Sequence, residues 1–279
     1  MGVRPVGGKC LRTARPPRFS ELLACAHDLA DASGAAIRPR FRRALKVDDK
    51  GGGAGFVPVT AADRAAERAM CRKLAATFPE HGIVGEEYGI QRPDARYRWV
   101  LDPIDGTRAF ISGLPTWGTL IGLMDGEEAI LGMMDQPFTG ERFWSSATGA
   151  HLRGADGKTG RLKTRACSRI EAAVFSSTHP DLFAAGREQK ILNAIKSKAR
   201  LTRYGADCYA FCMLAAGHID LVLEPGLKVY DIVALIPIIE RAGGRVTTWD
   251  GASAVNGGNV VASGDRALHD QVLRLIGGL

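Results

Sequence analysis

Six residues restrict this chain more than its bulk composition does: Asp102-Pro103-Ile104-Asp105-Gly106-Thr107, directly after the β-like run Tyr97–Asp102. Two carboxylates three residues apart at a strand end, with a proline between them, cannot both enter an apolar core unpaired. Burying such charges is costly unless they are paired or hold a metal. The all-oxygen, imidazole-free character suits Mg2+ or Mn2+ rather than zinc. Gly106-Thr107 should open a helix toward Phe110, and a helix start offers free N–H groups to an anion such as phosphate. Taken alone, the motif is equally an Asp-rich turn capping a helix.

The rest of the chain reads as an ordinary globular protein. With 46% hydrophobic and 24% charged residues it is neither disordered nor fibrous. At 279 residues it suits one large domain or two modest lobes. A helical pattern begins at Ser20 behind a Ser cap, with Leu22, Leu23, Ala26, Leu29 and Ala30 at three- and four-residue spacing. Lys50–Gly55 reads as a glycine-rich loop. Thr60 then opens a second helix with Asp63 in capping-box position. The middle is strand-rich, with Asp125-Gly126 as a hairpin signal. After about residue 165 strands and helices alternate, and Val229–Ala242 reads as one helix bent at Pro237. The expectation is an antiparallel α+β lobe over 17–150 packed on a layered α/β lobe over 151–279, behind a basic, disordered tail at 1–16.

The motif also has company. Glu86-Glu87 follows another β-like run, Asp63 lies in Val59-Thr60-Ala-Ala-Asp63, and Asp231 precedes Ile239-Glu240-Arg-Ala-Gly-Gly244. With these blocks in this order, the chain from about Phe19 to its end resembles the inositol monophosphatase-like family of lithium-sensitive, Mg2+-dependent phosphatases. The second block normally begins Trp-Asp and here reads Tyr230-Asp231, which keeps the carboxylate and changes only the aromatic. Arg108–Gly122, Tyr204–Phe211 and Leu227–Pro237 are similar to the histidinol-phosphate phosphatase branch. The resemblance implies an α+β fold, the layered αβαβα sandwich of the inositol monophosphatase/fructose-1,6-bisphosphatase type.

It also implies a site. Glu86, Asp102, the backbone carbonyl of Ile104, Asp105 and Asp231 would hold two or three Mg2+, with Mn2+ as a substitute. Asp63 and Thr107 would orient the attacking water, with Glu86 beside them as a catalytic ligand, and the N–H groups of Gly106 and Thr107 would grip the phosphate. Asp105, Asp207, Glu224 and Asp231 would face the substrate. An acid at both 207 and 224 favours a cationic alcohol over a neutral polyol by charge pairing. Asp207 reads equally as a helix N-cap and Glu224 also has a purely structural reading. His27, His269, His81 and His151 read as structural or loop histidines, Cys208 and Cys212 as core. His179, Trp117, Arg203 and Lys228 are compatible with a place near the site or away from it.

Charge limits the partners. Residues 1–50 carry eleven Lys/Arg against five Asp/Glu, most of the net charge of +7. A nucleic-acid binder would place its basic residues on the folded body, so nucleic acid is not expected. No apolar run suggests a membrane span, and the six scattered cysteines suit reduced thiols in the cytoplasm. The expected activity is Mg2+-dependent hydrolysis of a small phosphate monoester, L-histidinol phosphate first, by a homodimer in histidine biosynthesis. Inositol-1-phosphate or a broader set of sugar phosphates is the rival. A catalytically inactive binding or regulatory homologue is the non-enzyme alternative.

Overall fold

The computed structural model describes residues 17–44, 47–49 and 58–279. The tail at 1–16 and the glycine-rich stretch at 50–55 lie outside the described residues. Helix α1 (Phe19–Ile37) is followed by the short pair β1 (Val47–Asp49) and β2 (Pro58–Thr60), then α2 (Ala61–Thr77). Next come β3 (Gly82–Gly85), β4 (Gly89–Gln91), β5 (Tyr97–Asp105), α3 (Thr107–Ile111), β6 (Gly118–Asp125), β7 (Glu128–Gln136), β8 (Glu141–Ser146), β9 (Gly149–Arg153) and β10 (Thr159–Arg161). The remainder is β11 (Val174–Ser177), α4 (Arg187–Lys198), β12 (Leu201–Tyr204), α5 (Asp207–Ala215), β13 (Leu221–Leu227), α6 (Val229–Ile232), α7 (Leu235–Ala242), β14 (Arg245–Thr248), β15 (Gly258–Ser263) and α8 (Arg266–Gly277).

Two sheets organise these elements. The eight-stranded sheet has the order β10-β9-β8-β7-β6-β5-β3-β4, antiparallel except where β3 runs parallel to β5. The five-stranded sheet has the order β12-β11-β13-β15-β14. Because β9 and β10 pair within the first sheet, the change of sheet falls after Arg161 rather than at residue 150.

Alternation along the strands builds the layers. Trp99 and Leu101 of β5 face α1 and α2, where they pack with Leu22, Leu29, Met70 and Leu74. Val100 between them packs on the opposite face, against the layer of α5, α6 and α7. Val222, Val260 and Ala262 of the second sheet close that middle layer from the other side. The far face of the second sheet buries Phe175, Leu221, Leu223 and Val261 under α4 and α8. The result is a helix–sheet–helix–sheet–helix sandwich, the architecture implied by the resemblance.

Two local expectations are corrected. Helix α1 starts at Phe19, with Arg18 as its cap, whose N–H donates to Glu21 at 2.9 Å, so Ser20 is not the cap. The stretch 229–242 is two helices, broken at Val233–Ala234 ahead of Pro237. That break lies on the paired glycines 122 and 132; a Cβ on Gly132 would fall 1.8 Å from the Ala234 carbonyl. Pro237 has no N–H to bond the Val233 carbonyl four residues back, so the proline interrupts the helix at this point as expected, and the glycine pair gives the chain there room to approach β6 and β7. His81 lies in the loop between α2 and β3, as read, and is buried there: it accepts a hydrogen bond from Trp99 Nε1 at 3.1 Å and stacks on Phe78.

The buried histidine of α8 gives a stability prediction. His269 lies between Ser263 Oγ at 2.8 Å and Thr247 Oγ1 at 2.9 Å. Burial, helped by Arg245, lowers its pKa from 6.5 to about 4. The unfolded chain therefore takes up this proton first as pH falls. The stabilisation is complete above the unfolded pKa and drains as pH drops toward 4, by at most ~1.4 kcal/mol per pH unit. Denaturant unfolding at pH 7 and pH 4.5 should show His269→Gln losing less stability than the wild type; equal losses would mean that another group titrates.

Candidate active site

The Asp102–Thr107 motif spans the end of β5 and the start of α3. On a regular strand, residues three apart point to opposite faces. Here the pairing of β5 with β6 shifts between Asp102, opposite Leu120, and Asp105, opposite Gly118. Pro103 lacks the N–H that a regular ladder would use at this point. The bulge places an extra residue in β5 and brings both carboxylates to one side. Asp102 Oδ1 accepts the Ile104 N–H at 3.0 Å, and the Thr107 hydroxyl donates to the Ile104 carbonyl at 2.9 Å. Gly106 sits at φ 82°, where a side chain would be strained and would press on Asp207 and Trp117.

Other segments converge on this turn. Asp231, third residue of α6, accepts the Lys228 N–H at 2.6 Å. Oxygens of Asp102, Asp105 and Asp231 lie within 4.8 Å of one another. Asp105 is tied to α5 by the Cys208 N–H, which donates to its Oδ2 at 2.7 Å. Asp63 is buried at the start of α2, where the Thr60 N–H and hydroxyl both donate to its Oδ2 at 2.8 and 2.7 Å. Glu86 follows β3, its N–H donating to the Leu101 carbonyl at 3.2 Å, one residue before Asp102.

A cavity of about 280 Å3 opens beside the cluster and is lined by Glu86, Asp105, Gly106, Thr107, Asp207, Glu224 and Asp231. Arg108, Thr178, Leu182, Phe211 and Leu227 complete much of its wall. Asp207 is not an N-cap: Ala206 is the capping residue, and Asp207 stands at φ 42°, a left-handed conformation that few non-glycine residues adopt. Glu224 is buried on β13, where Thr178 donates to its Oε1 from the backbone at 2.6 Å and from the hydroxyl at 3.1 Å.

The electrostatics are those of acids gathered without enough countercharge. Burial, then Glu86, Asp105 and Asp231, pushes Asp102 well above the usual carboxylate range. Burial, then Asp207 and Asp231, does the same to Asp105. Asp207 and Asp231 are raised to about 6, mainly by burial, although Arg108 draws Asp207 down and the Lys228 backbone and charge draw Asp231 down. Glu224 is raised to about 8, again by burial first. An all-oxygen donor set with this much unrelieved negative charge fits a hard divalent cation.

Of the undecided residues, Trp117 is core, buried against Phe41 and Phe110. His179 is exposed and accepts the Asp181 N–H, outside the cavity wall. Arg203 is exposed and is not part of that wall. Lys228 acts on Asp231 through its backbone and its charge. Sequence reasoning missed Thr178, which has no local signal, and Glu67, whose signal was an acid on the buried face of α2.

The sandwich and its acid-lined cavity define a class, the metal-dependent phosphatases that act on small phosphate esters. The chain belongs to the inositol monophosphatase family, whose sequence profile matches residues 19–278. It is 44% identical over 258 residues to the chloroplastic bifunctional phosphatase IMPL2 of Arabidopsis thaliana, covering 88% of this chain and 72% of that one. It is 36% identical over 268 residues to the histidinol-phosphatase of Streptomyces coelicolor, covering 92% and 97%. Among solved structures, an inositol monophosphatase from Zymomonas mobilis superimposes with a TM-score of 0.83 at 40% identity, covering 94% of this chain and all of that one. Among the described residues, no helix is long and apolar enough to cross a membrane.

Carboxylate crowding has a measurable signature. Asp102→Asn keeps the oxygen that accepts the Ile104 N–H and removes a buried charge. In metal-free buffer its Tm should exceed that of the wild type by about 2–4 °C, the equivalent of ~1 kcal/mol in a chain of this size. Mg2+ should raise the Tm of the wild type and leave that of the variant nearly unchanged. A lower metal-free Tm for Asp102→Asn would contradict the crowding.

Proposed function

We propose that this chain hydrolyses L-histidinol phosphate to L-histidinol and phosphate with Mg2+. The observation that carries the substrate choice is the pair Asp207 and Glu224 in the wall of the cavity, beside the apolar Leu182, Phe211 and Leu227. Histidinol phosphate presents an ammonium and an imidazole to such a wall, and charge pairing favours it over a neutral polyol. The likeness to the Streptomyces histidinol-phosphatase supports the same reading.

In this reading Glu86, Asp102, the Ile104 carbonyl, Asp105 and Asp231 hold two or three Mg2+, with Mn2+ able to substitute. The bound ions supply the charge that clamps the phosphoryl oxygens and lowers the pKa of the attacking water. The protein does the rest. Thr107 spends its hydroxyl proton on the Ile104 carbonyl, so its oxygen is left to accept from the water and orient it. Asp63, held by Thr60, is the second orienting acid. The N–H groups of Gly106 and Thr107 bind phosphate oxygens. Asp207 faces the leaving alcohol, and Glu224, its Oε1 engaged by Thr178, offers its other oxygen to the substrate cation. The assignment brings histidine biosynthesis, a cytoplasmic location and a homodimer with it.

A second reading is inositol-1-phosphate or a broader set of sugar phosphates, favoured by the likeness to the Zymomonas inositol monophosphatase. A phosphate-release panel at fixed Mg2+ separates the two. Histidinol phosphate should exceed inositol-1-phosphate in kcat/KM by at least about tenfold, ~1.4 kcal/mol; the reverse order would transfer the assignment to the polyol. Glu224→Gln should lower kcat/KM for histidinol phosphate by about tenfold or more and leave p-nitrophenyl phosphate nearly unaffected. Equal losses on both would remove Glu224 from substrate choice.

A further inference from the structure

Glu67 is fully buried on α2, one helical turn after Asp63 and on the same inward face as Ala62, Ala66 and Met70. A carboxylate in such a place is costly unless its oxygens are hydrogen-bonded. Its partners are consecutive amides of one turn: the Glu87 N–H donates to Oε2 at 2.8 Å and the Tyr88 N–H to Oε1 at 3.0 Å. That turn begins with Glu86. On the other side of Glu86, Gly85 leaves room for the same carboxylate, since a Cβ there would fall 1.9 Å from Glu67 Oε1 and 2.6 Å from its Cδ. Gly85 does not have a left-handed φ, so the requirement is for space and not for conformation.

We infer that Glu67 is a positioning residue for Glu86: by bonding the two amides after it and packing against Gly85 before it, Glu67 aims the Glu86 carboxylate at the Asp102–Asp105–Asp231 cluster and thereby raises the affinity of the site for its divalent cation. The inference rests on the reading of Glu86 as a metal ligand. The geometry ties three parts of the site to one element. Helix α2 carries Asp63 and, a turn later, the anchor for the Glu86 turn, while the Glu86 N–H joins that turn to Leu101 beside Asp102. Tyr88 secures the far end of the turn, its ring under the Arg68 guanidinium and its hydroxyl accepting a hydrogen bond from Arg68. Glutamine cannot replace Glu67 in this role. Its amide has one acceptor oxygen and one NH2 group, so a donor would face one of the two N–H groups.

The test is calorimetric titration of Mg2+ into the metal-free full chain, together with Tm and steady-state kinetics. Glu67→Gln should weaken Mg2+ binding by about tenfold. At saturating Mg2+ its kcat for p-nitrophenyl phosphate should return to within about threefold of wild type. If Glu67→Gln lowers only the Tm and binds Mg2+ like the wild type, Glu67 is a structural tie and the inference is overturned. Should that variant fail to fold, Gly85→Ala displaces the same carboxylate by crowding. It should weaken Mg2+ binding in the same way, and unchanged affinity would again overturn the inference. Glu86→Gln separates the two layers of the argument. If it binds Mg2+ normally, the reading of Glu86 as a ligand fails and the role of Glu67 fails with it; if it binds weakly while Glu67→Gln does not, only the role of Glu67 fails.

Discussion

Mutual repulsion among buried carboxylates is the constraint around which this structure is arranged. Asp102, Asp105 and Asp231 bring oxygens within 4.8 Å of one another; burial raises the pKa of each, and neighbouring acids add to the rise at Asp102 and Asp105. Such a cluster opposes folding unless something holds its members in place. The protein does so mostly with backbone N–H groups: Ile104 to Asp102, Cys208 to Asp105, Lys228 to Asp231, and Thr60 to Asp63. These donors fix geometry and offset part of the desolvation without adding a full positive charge. The charge that remains is what a hard divalent ion would bind.

The sandwich serves this arrangement directly. The bulged end of β5 faces the middle helical layer, where α5 and α6 deliver Asp207 and Asp231, and the second sheet delivers Glu224 from β13. The outer layer contributes α2, with Asp63 and the anchor of the Glu86 turn. No single layer holds a complete site, so the cavity exists only when the two sheets close on the helices between them. Asp207, Glu224 and Asp231 come from the C-terminal elements, whereas Asp63, Glu86 and the Asp102–Thr107 turn come from the N-terminal ones.

Much of this was legible in the sequence because the signals are local. The Thr60–Asp63 capping box, the strand into Asp102 and the helix start at Gly106-Thr107 depend on neighbours in the chain, and the structure has them. The bulge was not legible, since a register shift is a relation between β5 and β6 and neither strand encodes it alone. The interruption caused by Pro237 was legible, because a proline removes the bond to the carbonyl four residues before it; the close approach of Ala234 to Gly132 was not, since that contact is tertiary. His81 was legible as a loop residue, but its burial was not, because its bond to Trp99 is tertiary. Glu67 went unread although an acid at i+4 from Asp63 on an apolar helix face was visible; its partners, the Glu87 and Tyr88 amides, were not.

The claim on which everything else depends is that these acids are a cation site. Anomalous diffraction from crystals of the full chain grown with Mn2+ addresses it directly. The account predicts peaks at bonding distance from the carboxylates of Asp102, Asp105 and Asp231, with Glu86 and the Ile104 carbonyl completing the set. Peaks only elsewhere, or none in a protein whose turnover survives a chelator, would contradict it.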